Sequence, residues 1–143
     1  MKPHAKIWRD PPKLALPNNP AIVTDCDNAW VAYEITHCDE RTLAVVRFAS
    51  VIDFHLSPIN DEGLREHRYA TAGLKFYAFH ELFDTDETRR WSRTGGRQFV
   101  ITFKDVTIDV IARDPSVVAE GIIASDTDTA LQLAIKHARQ AAG

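Results

Sequence analysis

The chain predicts an α+β fold: a mostly antiparallel β-sheet with a C-terminal helix and a short connecting helix packed on one face. Three observations predict it. Residues 98–113, QFVITFKDVTIDVIAR, alternate about a central turn as the two arms of a hairpin do. Residues 43–55, LAVVRFASVIDFH, keep apolar side chains at nearly every even position, the period of a half-buried strand. Near the C-terminus, Leu131, Ala134, Ile135 and Ala138 recur at helical spacing, a stripe suited to packing on a sheet. Strands are not separated regularly by long helices, so a wound βαβ fold is not expected.

The elements follow in order. Pro3, Pro11, Pro12, Pro17 and Pro20 crowd the first twenty residues. Proline fixes φ and lacks a backbone donor, so residues 1–20 form an extended arm. Ile7, Trp8, Leu14 and Leu16 make that arm apolar enough to lie across the domain with Trp8 as its anchor, or to detach and hold a partner. WVAYEIT, residues 30–36, is aromatic and β-branched and reads as a strand, with a polar turn over 37–41. The following strand is long enough to require a bend or bulge near Ala49-Ser50. SPINDEG, residues 57–63, is loop.

LKFYAFHELF, residues 74–83, fits either element by spacing. Its aromatic content favours a strand over Lys75 to Phe79. Asp84 with Glu87 three residues on has the spacing of a capping box, opening a helix over Thr85 to Arg93 that leaves through Gly95-Gly96. In the hairpin, a Lys104-Asp105 turn sets Phe103 against Val106, Ile101 against Ile108 and Phe99 against Val110, an all-apolar face. Asp114-Pro115 suits the start of a helical turn, and Ser125 or Asp126 caps a last helix that runs to about Gln140. The expected organisation is one domain over 1–143: the arm (1–20), a sheet-forming core (28–113) and a helical C-terminus (114–143).

Composition narrows the function classes. A chain of 143 residues buries roughly 70% of its unfolded surface and needs no staple to fold. A formal charge of −3 and a pI near 6.0 argue against a nucleic-acid binder. Arg89, Arg90, Arg93 and Arg97 read as a solvated helix face. Neither a signal-peptide apolar region nor a membrane span stands out, so the expectation is a cytoplasmic protein with no membrane partner. Cys26 and Cys38 form no CxxC pair. Whether they lie close enough for a disulfide is left open, with free thiols the default.

Two groups of residues carry chemistry. Arg47, Asp53 and His55 lie on one side of the long strand. A carboxylate beside an imidazole can orient a base, and an arginine can anchor an anion. The alternative is a plain solvated strand face. The second group is aromatic: Tyr77, Phe79 and Trp91, with Phe76 and Phe83 nearby, form either a binding surface or core. No metal or cofactor is expected. His80-Glu81 lacks the second histidine of an HExxH zinc site, because Asp84 stands there. Asn60-Asp61-Glu62-Gly63 lacks the calcium-loop pattern. Gly95-Gly96 lacks the context of a phosphate cradle.

The segments NPAIVTD, WVAYEI, AVVRF, NDEGL and FVITFKDVTIDVIA resemble short, uncharacterised bacterial proteins, some of the kind carried on mobile gene cassettes. The resemblance spans Trp8 to Ala112. It implies a bacterial, single-domain accessory protein and brings no activity or site residues. Two functions are therefore expected to compete. One is a non-enzymatic module that binds a small molecule or a protein, with a homodimer within its scope. The other is a small enzyme acting on an anionic small molecule, with His55 as base, Asp53 as its orienter and Arg47 as anchor.

Overall fold

A computed structural model describes residues 2–8, 10–12, 14, 20–37, 40–122 and 127–142. Among these residues, seven strands build one antiparallel sheet: β1 (His4–Ile7), β2 (Ala21–Thr24), β3 (Asn28–His37), β4 (Glu40–Ser57), β5 (Phe79–Phe83), β6 (Arg97–Thr102) and β7 (Thr107–Ile122). Their order across the sheet is β1-β5-β6-β7-β4-β3-β2. Among the described residues two helices accompany them, α1 (Asp86–Trp91) and α2 (Thr127–Ala142), and three short 3-10 turns lie at Leu64–Glu66, Ala70–Ala72 and Ser92–Thr94. The architecture is the expected α+β arrangement.

The β6–β7 hairpin has the predicted register: Phe99 pairs with Val110, Ile101 with Ile108 and Thr102 with Thr107. Phe103 N–H donates to Val106 O and closes the turn at 2.9 Å. The even residues Ala44, Val46 and Phe48 of β4 join Phe99, Ile101, Ile108 and Val110 in one buried cluster. This inner face curls strongly. Phe48 on β4 and Phe79 on β5 are three strand positions apart, about 14 Å in a flat sheet. Their ring centroids nevertheless lie 5.8 Å apart. The arm closes the open side. Trp8 donates its backbone N–H to Phe79 O at 2.8 Å. Its ring sits 4.8 Å from Phe79 and 5.2 Å from Phe99. Farther on, Leu14 bridges to Ile35, and Tyr33 donates its phenol proton to Pro12 O at 2.8 Å. The arm thus crosses the domain with Trp8 as anchor, and its start adds strand β1 to the sheet edge. The expectation for Leu16 lies outside the described residues.

The outer face of the sheet has two covers. Leu131 and Ile135 of α2 pack on Ala21, Trp30, Ala32 and Val45. Fully burying such aliphatic side chains stabilises by about 1.5–3 kcal/mol each. Over β5 and β6 the cover is irregular chain, where Tyr69 packs on Leu82 and Val100.

Three local expectations are corrected. The strand expected over 75–79 begins instead at Phe79, because Tyr77 adopts a left-handed conformation (φ 52°) that interrupts extension. The helix cap is Thr85, not Asp84. Thr85 Oγ1 accepts from Thr88 N–H at 3.0 Å, and Thr85 N–H donates to Thr88 Oγ1 at 2.8 Å. Asp84 is itself left-handed (φ 58°), outside the extended geometry a cap uses. Finally, Asp114-Pro115 starts no helix, so the segment 114–122 is strand, not helical C-terminus: β7 runs through it to Ile122. Past Ala112 β7 has no β6 partner, and an edge is where a strand accepts proline. The capping residues Ser125 and Asp126 lie outside the described residues, as does Cys38. Cys26 is exposed and free.

Candidate functional site

Two irregularities in β4 shape the site. Ser50 is left-handed (φ 54°), and one extra residue, Ile52, lies between Val51 and Asp53 relative to β7. The expected bend near Ala49-Ser50 is therefore present. Beyond it the strand is exact in its pairing: Asp53 faces Ile111, and His55 faces Asp109. On the far side of β7, Asp109 pairs with Val100, whose side chain lies under Tyr69 on the outer face. Side chains paired across strands share a face, so Asp53, His55 and Asp109 all point outward beside that irregular cover.

There they form the floor of a cleft of about 300 Å³, walled by His67 to Tyr69 and by Glu87 of α1. Helix α1 ends against the sheet nearby. Gly95 (φ 76°) turns the chain out of the helix. At Gly96 an added Cβ would meet Trp91 Cβ at 2.8 Å and Ile52 at 3.0 Å. Only glycine lets the chain pass that closely. The pair thus ends the helix, as expected, and also seats it on the sheet.

His67 and Asp109 are joined at 2.7 Å through Nε2 and Oδ1. The other ring nitrogen, Nδ1, accepts Tyr69 N–H at 3.0 Å. A nitrogen that accepts carries no proton, so Nε2 bears the hydrogen and donates to Asp109. The pair resembles a catalytic Asp–His dyad, but its acceptor nitrogen is already taken. His67 therefore holds Asp109 in place rather than collecting a proton. His80 is a second fully committed imidazole: its Nδ1–H donates to Val100 O at 2.9 Å, and its Nε2 accepts Lys75 N–H at 2.9 Å. Burial pushes its pKa below the ordinary value, outweighing the hydrogen bond to Val100 that favours the charged form. It pins the 75–78 loop to the sheet, as Thr102 Oγ1 does by donating to Lys75 O at 2.7 Å.

The three residues expected on one strand face are thus divided. Asp53 and His55 line the cleft together. Arg47 lies six residues back, roughly 20 Å along the strand. There its Nε donates to Asn28 Oδ1 at 2.9 Å, and its guanidinium stacks 5.8 Å from the Trp30 ring. It does not reach the cleft.

The aromatic group also divides. Tyr77 and Phe79 line a second groove of about 490 Å³ between the arm and the 75–78 loop, beside Trp8 and Pro12. Phe79 is at the same time core, whereas Phe76 is 59% exposed. Tyr77 donates its phenol proton to Asp61 Oδ2, which holds that carboxyl below its usual range and raises the phenol. Trp91 sits on α1, bound through its indole N–H to Glu87 Oε2 at 3.1 Å, and does not line that groove.

His67, Tyr69 and Asp109 carry the cleft and were not expected there. His67 and Tyr69 lie in an irregular segment without periodicity, and Asp109 reads as an ordinary outward residue of a hairpin. Among the described residues no group of three or more His, Cys, Asp or Glu could hold a metal ion, and no helix is long and apolar enough to cross a membrane. The chain matches no known family model, no curated protein and no solved structure.

Proposed function

We propose that this protein is a non-enzymatic binding module whose ligand is a small polar molecule seated in the outer-face cleft. One observation carries the reading. The exposed pair Asp53 and His55 stands opposite Asp109, and Asp109 is held from behind by an imidazole with no free nitrogen. Such an arrangement gathers polar groups around one carboxylate held in a fixed position, as a ligand site does. It supplies neither a nucleophile nor a base backed by an orienting partner.

The competing reading is an enzyme on an anionic molecule. His55 beside Asp109 keeps a base within reach of the cleft. That reading loses its anion anchor, because Arg47 is engaged with Asn28. The implied setting for the binding module remains an accessory role in a bacterial cell.

The test is a titration of labelled protein with a set of small polar fragments, followed through backbone amide shifts. Shifts centred on Asp53, His55, Tyr69 and Asp109 are expected. Shifts centred on Trp8, Phe76 and Tyr77, or no shifts with any fragment, would overturn the proposal.

A further inference from the structure

We infer that the cleft selects a small organic cation, an amine or a guanidine, and that Asp109 is the residue that holds it. The inference rests on the cleft being a ligand site and specifies its chemistry.

The first argument is charge. Three carboxylates, Asp53, Glu87 and Asp109, line the cleft against one guanidinium, Arg68. Arg68 is itself drawn to the rim, 3.3 Å from Asp86 and 3.8 Å from Glu87. Asp53 is the diagonal cross-strand neighbour of Asp109, because Asp53 pairs with Ile111 and His55 with Asp109. Diagonal neighbours lie about 7–8 Å apart, close enough for two like charges to be relieved by one cation between them.

The second argument is how Asp109 is held. Its Oδ1 accepts from His67, whose tautomer is set by the Tyr69 N–H. A neutral donor fixes the carboxylate without cancelling its charge. Oδ2 has no partner among the described residues, and the side chain is 26% exposed. Asp109 is therefore positioned and left charged.

The third argument is independent of charge. Tyr69 lines the same cleft, is only 8% exposed, and has a phenol oxygen without a hydrogen-bond partner among the described residues. Its ring lies 6.0 Å from the His67 ring and 5.1 Å from the Arg68 guanidinium. Buried hydroxyls nearly always have partners. The oxygen is out of solvent contact, so an ammonium or guanidinium N–H would supply the missing partner as the Tyr69 ring turns toward the cleft.

The test uses four probes of one size: n-butylamine, butylguanidine, 1-butanol and butyrate, titrated at pH 7.5 and read through the Asp109 and Tyr69 amides. Both cations are expected to bind at least tenfold more tightly than 1-butanol, with butyrate weakest. Asp109→Asn keeps an acceptor for His67 and removes only the charge, so it should abolish the preference for cations. Tyr69→Phe should weaken cation binding several-fold while the melting temperature holds or rises. His67→Gln, which keeps an N–H near Nε2, should retain the preference, whereas His67→Leu should lose it. If 1-butanol or butyrate binds as well as the amines while cleft amides shift, the cation inference falls and the cleft remains a ligand site. If Asp109→Asn leaves the preference intact, the inference falls as well. If no cleft amide moves with any probe, the inference and the proposed function fall together.

Discussion

The two halves of the outer sheet face are covered in opposite ways. Over β2, β3 and β4, helix α2 lays a continuous aliphatic stripe on Trp30, Ala32 and Val45. Over β5 and β6, short 3-10 turns and the 74–78 loop lie on the sheet through a few fixed points: the Tyr69 ring, the His67 and His80 imidazoles and Thr102. A regular helix brings a side chain down every three to four residues, so the sheet beneath its stripe is covered evenly. An irregular cover is held by individual hydrogen bonds and leaves space between them. The cleft, with its charged floor, sits in that space. One sheet face thus carries a half covered by a packed helix and a propped half that holds the cleft.

The helix-covered half should yield the largest effect. Leu131→Ala removes a side chain that is 3% exposed and packed on Trp30 and Val45. A loss of about 2–4 kcal/mol is expected in urea unfolding. A loss well under 1 kcal/mol would mean that α2 is not sealing the sheet, and the contrast would fail.

The propped half should respond through its pins. His80→Leu leaves Val100 O and Lys75 N–H without their partners in a site that is 1% exposed. Each stranded group costs roughly 1–3 kcal/mol. The same residue gives a pH signature. Its folded-state pKa is depressed by burial, so the unfolded chain takes up the proton first as pH falls through about 6.5. The stability it contributes is complete above that pH and declines below it, by at most about 1.4 kcal/mol per pH unit. Unfolding curves for parent and His80→Leu, measured from pH 7.5 to 5, should converge as pH falls. Parallel curves would show that His80 is not held neutral.

The floor of the cleft should respond least. Asp53 and His55 are exposed, and their double replacement by alanine should change stability by no more than about 0.5 kcal/mol. A loss of several kcal/mol would make the pair a structural feature like His80 and erase the difference between floor and pins.

How much of this was legible depends on whether the signal was local. The Phe99–Val110 and Ile101–Ile108 register could be read because an apolar alternation runs unbroken through a tight turn. The placement of β5 could not. Its inward positions are Phe79, Glu81 and Phe83 and its outward ones His80 and Leu82, so neither face is purely apolar. In the site, Asp53 and His55 were visible as a pair two residues apart on a strand. Arg47 was wrongly grouped with them, because alternation reports a face and not the distance along it. His67 had no signal at all: its partner is 42 residues away.

The sequence by itself determined the α+β class, the hairpin register and the α2 stripe. Each is written in the spacing of apolar side chains, whose burial drives folding. Tertiary structure alone decided which polar residues meet. The curl of the sheet, the left-handed Ser50 and the extra residue Ile52 set what faces the cleft. The irregular cover then brought His67 and Tyr69 over Asp109. Polar contacts are directional and join distant segments, so they have no period along the chain.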